Sequence, residues 1–255
     1  MQYKEFCYNL AKEAGQVMLR YFAVDNGMQW KSDNTPVTQA DLEINSLVIK
    51  RINKAFPDHD ILGEEESHII NNSEFLWVCD PIDGTIPYSH GIPTSVFSLA
   101  LVQDGEPIAA IIYEPWLNTI YYAEKGQRAW KNEKLIQVNE NNSLNQSLIS
   151  MEAPSKIWNY YKVLEELDQL GAKTVRNRSF IYPSRLIASG EFTGGIFGKN
   201  SSHDAASLDI LIREAGGKTS DINGNEQRFD QPINGFIASN GLVHDKLLNI
   251  ISRTN

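Results

Sequence analysis

The run Trp77-Val78-Cys79-Asp80-Pro81-Ile82-Asp83-Gly84-Thr85 constrains this chain more than any other, because an apolar strand ends there in two carboxylates, a glycine and a hydroxyl. A strand fixes its terminal residues, and Pro81 restricts the turn that follows. Asp80 and Asp83 then face one pocket as hard oxygen donors of the kind that suit Mg²⁺. Gly84 lets backbone amides approach an anion closely, and the Thr85 hydroxyl can orient a water. A lone Asp-Pro-x-Asp-Gly is also an ordinary Asp-rich turn, so the rest of the chain decides between the two readings.

The pattern before and after this run predicts helices and sheets in alternating layers. Phe6, Leu10, Ala14, Val17, Met18 and Tyr21 recur at helical spacing, and that helix is expected to stop near Asp25-Asn26-Gly27. A polar loop, Lys31 to Pro36, precedes a second helix from Thr38 to Phe56, with Thr38 and Asp41 at capping-box spacing. From Phe75 the period changes. Phe75 to Cys79, Ser95 to Val102, Pro107 to Tyr113 and Thr119 to Ala123 are short, β-branched or aromatic, and separated by turn residues, which predicts an antiparallel meander. The second half alternates strand and helix: Leu148 to Met151, Ser155 to Leu170, Val175, Ser184 to Ser189, Gly194 to Phe197, and a helix from about Ser202 to the glycine stop Ala215-Gly216-Gly217. A strand at Gly235 to Ala238 and a helix at Val243 to Ile251 close the chain. One domain over 1–255 is expected, with a lobe boundary near 139–147.

The 255 residues are 42% hydrophobic and 22% charged, enough to bury a sizeable core. A net charge of -9 argues against a general nucleic-acid binder, whose affinity rests on clustered Lys and Arg. Bound cations would still let an acidic protein take anionic substrates. Cys7 and Cys79 read as reduced core thiols, and with neither a signal-peptide pattern nor a membrane-length apolar run, a cytoplasmic location is expected.

Gly63-Glu64-Glu65, Asp80 to Thr85, and His203-Asp204-Ala205-Ala206 running into Glu214-Ala215-Gly216-Gly217 occur in that order. Singly, each has a bland explanation: a solvated acidic loop, a turn, a first-turn aspartate that offsets a helix dipole. Together they resemble the inositol monophosphatase family of Mg²⁺-dependent, lithium-sensitive phosphatases, over Lys31 to about Ile222. The resemblance implies an α+β fold, a layered α-β-α-β-α sandwich of the inositol monophosphatase and fructose-1,6-bisphosphatase type. It implies two to three Mg²⁺ ions, held by Glu64, Asp80, Asp83, Asp204 and the carbonyl of Ile82, with Glu65 as the alternative to Glu64. It further implies that Thr85 paired with Asp41 polarises an attacking water, that Asp83, Gly84 and Thr85 contact the substrate, and that the protein is a homodimer. Trp116 and Trp158 are candidate interface residues.

Two positions and two stretches bear on the substrate. His203 stands where most members carry Trp, and Phe197 where inositol-hydrolysing members have a glutamate. Lys31 to Thr38 with Ala40-Asp41 is similar to the 3'(2'),5'-bisphosphate nucleotidase branch, and Phe56-Pro57-Asp58-His59 with Ile61-Leu62-Gly63 to histidinol-phosphate phosphatases. Phe197 is a candidate to stack on a base or imidazole, and Lys31 to meet a second phosphate. The expected activity is hydrolysis of a small soluble phosphate such as inositol 1-phosphate, neither nucleic acid nor membrane being a partner. A nucleotidase acting on adenosine 3',5'-bisphosphate, a histidinol-phosphate phosphatase and a regulatory binding protein with secondary catalysis are the alternatives.

Overall fold

A computed structural model describes every residue except 1, 2, 23–26, 33–35, 71, 72, 153–157, 199, 200 and 255. In chain order the first half comprises α1 (Lys4–Tyr21), β1 (Gln29–Trp30), β2 (Pro36–Val37), α2 (Gln39–Ala55), β3 (Asp60–Gly63), β4 (Phe75–Asp83), α3 (Thr85–Ser89), β5 (Val96–Gln103), β6 (Glu106–Glu114), β7 (Thr119–Glu124), β8 (Ala129–Lys131) and β9 (Lys134–Ile136). The second half comprises β10 (Leu148–Glu152), α4 (Tyr160–Gln169), β11 (Lys173–Val175), α5 (Ile181–Ala188), β12 (Gly194–Phe197), a 3₁₀ turn (Ser202–Asp204), α6 (Ala206–Glu214), β13 (Lys218–Ser220), β14 (Phe236–Ser239) and α7 (His244–Thr254).

Strands β3 to β9 form a seven-stranded sheet in sequence order, antiparallel except for the β3–β4 pair. Alternation along its strands gives it two apolar faces. Trp77, Cys79, Leu99 and Ile111 pack against α1 and α2, while Val78, Ala100, Val102 and Ile112 pack against α5 and α6. The second sheet, ordered β11-β10-β12-β14-β13, presents Phe197 and Phe236 to the same middle helices, and Ile149, Ile196 and Ile237 to α4 and α7 on the outside. The result is the expected α-β-α-β-α stack. The middle layer is tight: a Cβ at Gly195 on β12 would sit 2.4 Å from Ser150 Oγ. No helix among the described residues is long and apolar enough to cross a membrane.

The longer patterned elements fall where periodicity placed them, and the capping box of α2 forms as its spacing predicts. Four details differ. The strand expected to end at Cys79 continues to Asp83, because three steps on β4 answer two on β5 between Asp80 and Asp83, a bulge that tolerates the missing N–H of Pro81. The helix expected from Ser202 begins as a 3₁₀ turn and becomes α-helical only at Ala206. The short strands β3, β8, β9 and β13 carry too few residues for a readable period. Trp158 is buried in the core and offers no interface, while the half-buried Trp116 packs beside Phe22 and Tyr88. The expected start of α4 at Ser155, the Asp25-Asn26 end of α1, and Asp33 to Thr35 of the polar loop lie outside the described residues.

One buried ion pair ties the layers together. Arg185 on α5 reaches Glu114 at the end of β6 at 2.6 Å, with 4% and 2% of the two side chains exposed. Removing one partner strands a buried charge, so Arg185→Met is expected to cost about 3–5 kcal/mol in urea unfolding. Lys125→Met, in the exposed pair with Glu106, is expected to cost less than about 1 kcal/mol.

Candidate metal centre

Three aspartates meet where β4 leaves the large sheet. Asp80 and Asp83 come from its bulged end, and Asp204 from the 3₁₀ turn that leads α6. All three are buried, and one carboxylate oxygen of each lies within 4.8 Å of the others. Gly84 turns the chain out of the strand at φ +89°, and a Cβ there would press to 2.8 Å against Ser179.

Buried carboxylates this close repel one another. Burial pushes Asp80 well above the usual carboxylate range, and the charges of Glu64, Asp83 and Asp204 add to it. Asp80 Oδ1 and Asp204 Oδ2 have no hydrogen-bond partner although both are buried. Unsatisfied buried anionic oxygens are what a hard cation would coordinate, so the donor set fits a divalent oxygen-loving metal.

Asp83 is held differently. The Ser179 hydroxyl donates to its carboxylate, as do the amides of Phe180 at 3.0 Å and Tyr182 at 2.9 Å, all from the residues that open α5. Burial raises Asp83 to about 6, against the opposing pull of these donors. Ser179, Phe180 and Tyr182 had no signal in the sequence, since their role depends on a contact nearly a hundred residues away.

The glutamate run follows β3. The Glu64 amide donates to the Cys79 carbonyl at 3.1 Å, which brings the run beside β4. Lys31 Nζ lies 2.6 Å from Glu65 and 3.5 Å from Glu64. Glu65 is therefore engaged by the ammonium, while Glu64 is the foremost charged neighbour of Asp80. Lys31 thus pairs with both glutamates in this structure.

Thr85 and Asp41 each have other partners in this structure. The Thr85 hydroxyl donates to the Ile82 carbonyl at 3.2 Å. Asp41 Oδ2 accepts from the amide and hydroxyl of Thr38 at 2.7 and 2.5 Å, closing the capping box, while Oδ1 is buried and unpartnered. Burial pushes Asp41 up to about 7. The expectation that Phe197 stacks on substrate is corrected: its ring is fully buried, facing Phe180 at 4.5 Å on the core side of β12. His203 Nε2 lies 3.5 Å from Asp204 Oδ2.

The model of the inositol monophosphatase family matches residues 2–254. A fructose-1,6-bisphosphatase/inositol-1-monophosphatase of Thermotoga maritima is 31% identical over 97% of this chain and 95% of its own length. A histidinol-phosphatase of Chlorobaculum parvum is 30% identical over 97% and 95%, and a putative Nus factor SuhB of Neisseria meningitidis 30% identical over 96% of each. Among solved structures, an IMPase of Thermotoga maritima superposes with a TM-score of 0.88 at 30% identity, covering 99% of this chain and 98% of that one. The Bartonella henselae extragenic suppressor protein SuhB gives 0.89 at 25% identity over 99% of both. The family is one of metal-dependent phosphatases, hydrolases of phosphoric monoesters, and this fold holds a buried acidic cluster able to take a metal ion. The chain belongs to the inositol monophosphatase family.

Proposed function

We propose that this protein is a Mg²⁺-dependent phosphomonoesterase that hydrolyses a small soluble phosphate of the inositol 1-phosphate type by direct attack of water, acting as a cytoplasmic homodimer. The observation that carries the reading is the set of buried oxygens on Asp80 and Asp204 that accept no hydrogen bond, beside Asp83. Glu64, Asp80, Asp83, Asp204 and the Ile82 carbonyl would hold two to three Mg²⁺ ions. Bound there, Mg²⁺ supplies an acidified water and offsets the charge of the phosphoryl oxygens.

The chain's own groups do the rest. Asp41 Oδ1 is buried, unpartnered and carried by a carboxyl near pKa 7, the properties of a general base at neutral pH. Thr85 orients the water whose proton Asp41 takes. The amides of Gly84 and Thr85 face the phosphate where the strand turns. No covalent phosphoenzyme is called for: burial keeps Cys79 a thiol, far from the thiolate a nucleophile requires. Burial of Phe197 takes away the aromatic face that favoured a nucleotide or an imidazole, which leaves a polyol phosphate as the better reading.

Asp80→Asn is expected to lower Mg²⁺-dependent phosphate release from inositol 1-phosphate by about 10²–10³-fold or more. The same change should raise the metal-free Tm by roughly 2–4 °C per kcal/mol of repulsion relieved. Retained activity, or an equal loss of stability, would count against a metal role for this residue.

The raised carboxyls give stability a direction with pH. Asp83 and Asp41 have folded-state pKa values of about 6 and about 7, above the unfolded value of 3.8, so folding favours their neutral forms. Their contribution to metal-free stability is lost as pH rises from about 4 through 7, while cation binding favours the same carboxylates ionised. The gap in Tm between Mg²⁺-saturated and chelator-treated protein is therefore expected to widen across that window in calorimetry. A gap that stays constant would sink the assignment.

A further inference from the structure

Asn45 is a polar side chain buried where an apolar one would fill the same space. It lies on α2 one turn after Asp41, with Ile44 and Val48 on the buried face of that helix, and is 2% exposed. Its Oδ1 accepts no hydrogen bond, an arrangement that costs free energy and calls for a compensating role. Its Nδ2 donates to the Glu66 carbonyl at 2.9 Å. That donation is what an asparagine supplies here and a leucine of similar size does not.

The contact falls on the loop that carries the glutamate run. Asn45 Oδ1 stands against Gly63: a Cβ there would come within 2.3 Å of it and 2.4 Å of the Glu66 carbonyl, so the loop closes on the amide only because residue 63 has no side chain. One side chain thus touches both flanks of Glu64-Glu65, Gly63 before and Glu66 after. A bridge between Ile61 and His68 closes the base of the loop, and the Glu64 amide donates to the Cys79 carbonyl at 3.1 Å. Lys31 engages the carboxylates and leaves the backbone path to these anchors. Asp41 and Asn45 stand about 6 Å apart along one helix axis. A single rigid element therefore places the proposed base and the glutamate loop relative to each other.

We propose that Asn45 is the positioning residue of the glutamate run: by holding the backbone on both sides of Glu64 and Glu65 against α2, it sets the Glu64 carboxylate beside Asp80 for a divalent cation. This rests on the metal-dependent reading of the centre and adds to it a residue that acts through the loop. The charge of Glu64 is felt at Asp80 more than that of Asp83 or Asp204, which puts the run within reach of the same cation. Partners that stand behind the ligands of a metal fix their orientation and weigh on its affinity. Glu66 is exposed, so without Asn45 its carbonyl turns to water and the loop shifts while the fold stays intact.

Calorimetric titration of Mg²⁺ into the chelator-treated protein tests this, with the Tm of each variant read alongside. Asn45→Ala and Asn45→Leu are expected to raise the Mg²⁺ Kd by about 10–100-fold. Leucine keeps the volume and burial of the amide, so an equal rise in both assigns the effect to the lost donor. Ile52→Val, farther along the same buried face, should lower Tm and leave Kd unchanged. Glu64→Gln should raise Kd by itself, and adding Asn45→Ala to it should raise it no further, because Asn45 acts through that carboxylate. In phosphate release from inositol 1-phosphate, the Asn45 variants should shift the Mg²⁺ concentration for half-maximal rate in step with Kd, and kcat should return as Mg²⁺ saturates. The inference is overturned, with the metal reading left intact, by a Kd unchanged in Asn45→Ala or by a rise that Asn45→Leu does not share. A matching rise in Ile52→Val, or a full further loss in the Glu64→Gln background, overturns it equally. No Mg²⁺ binding by the wild type overturns the metal reading and the inference together.

Discussion

Mutual repulsion among Asp80, Asp83 and Asp204 is the constraint to which the surrounding structure answers. At an effective dielectric of about 20, like charges at such separations oppose one another by a few kcal/mol per pair, comparable to a good part of a domain's net stability. A fold can hold them together only if the backbone leaves them no choice. Here the bulged end of β4 fixes two, a 3₁₀ turn fixes the third, and each is anchored by an element packed into the large core between the sheets. The rigidity of the scaffold is what keeps the acidic pocket assembled before any counter-ion arrives.

The same constraint explains the uneven treatment of the three carboxylates. Asp83 is saturated by donors from the start of α5, so its orientation is set by the protein. Asp80 and Asp204 each keep a buried oxygen that accepts no hydrogen bond. A site with one fixed corner and two open ones is preorganised for a cation while still requiring it. That division of roles carries the electrostatic basis of catalysis, which depends on charges held in position before the reaction begins.

The acidic half of this arrangement was legible in the sequence, and the other half was not. Asp80, Asp83 and Thr85 are neighbours along one strand and turn, and the capping box of Thr38 and Asp41 is a four-residue pattern, so local chemistry announced both. Asp204 could be read only through its resemblance to a family motif. Ser179, Phe180 and Tyr182 serve Asp83 through two hydrogen-bonding amides and a hydroxyl, groups that occur all along a chain and acquire meaning only from the fold. Phe197 was misread for a related reason: which side of β12 it faces is decided by the register with β10 and β14, a long-range property. Likewise, nothing in the sequence signalled that Lys31 pairs with glutamates three elements further along the chain.

The donors that Asp83 receives from α5 join the amino-terminal sheet to the carboxyl-terminal one at a single carboxylate. Ser179 to Tyr182 therefore belong to two tasks, opening the helix that packs between the sheets and aligning one corner of the acidic centre. Replacements along this segment are coupled to the centre itself: they are admissible only if the helix still presents its first amides to Asp83. Side chains there can diversify, while the path of the backbone is conserved by necessity.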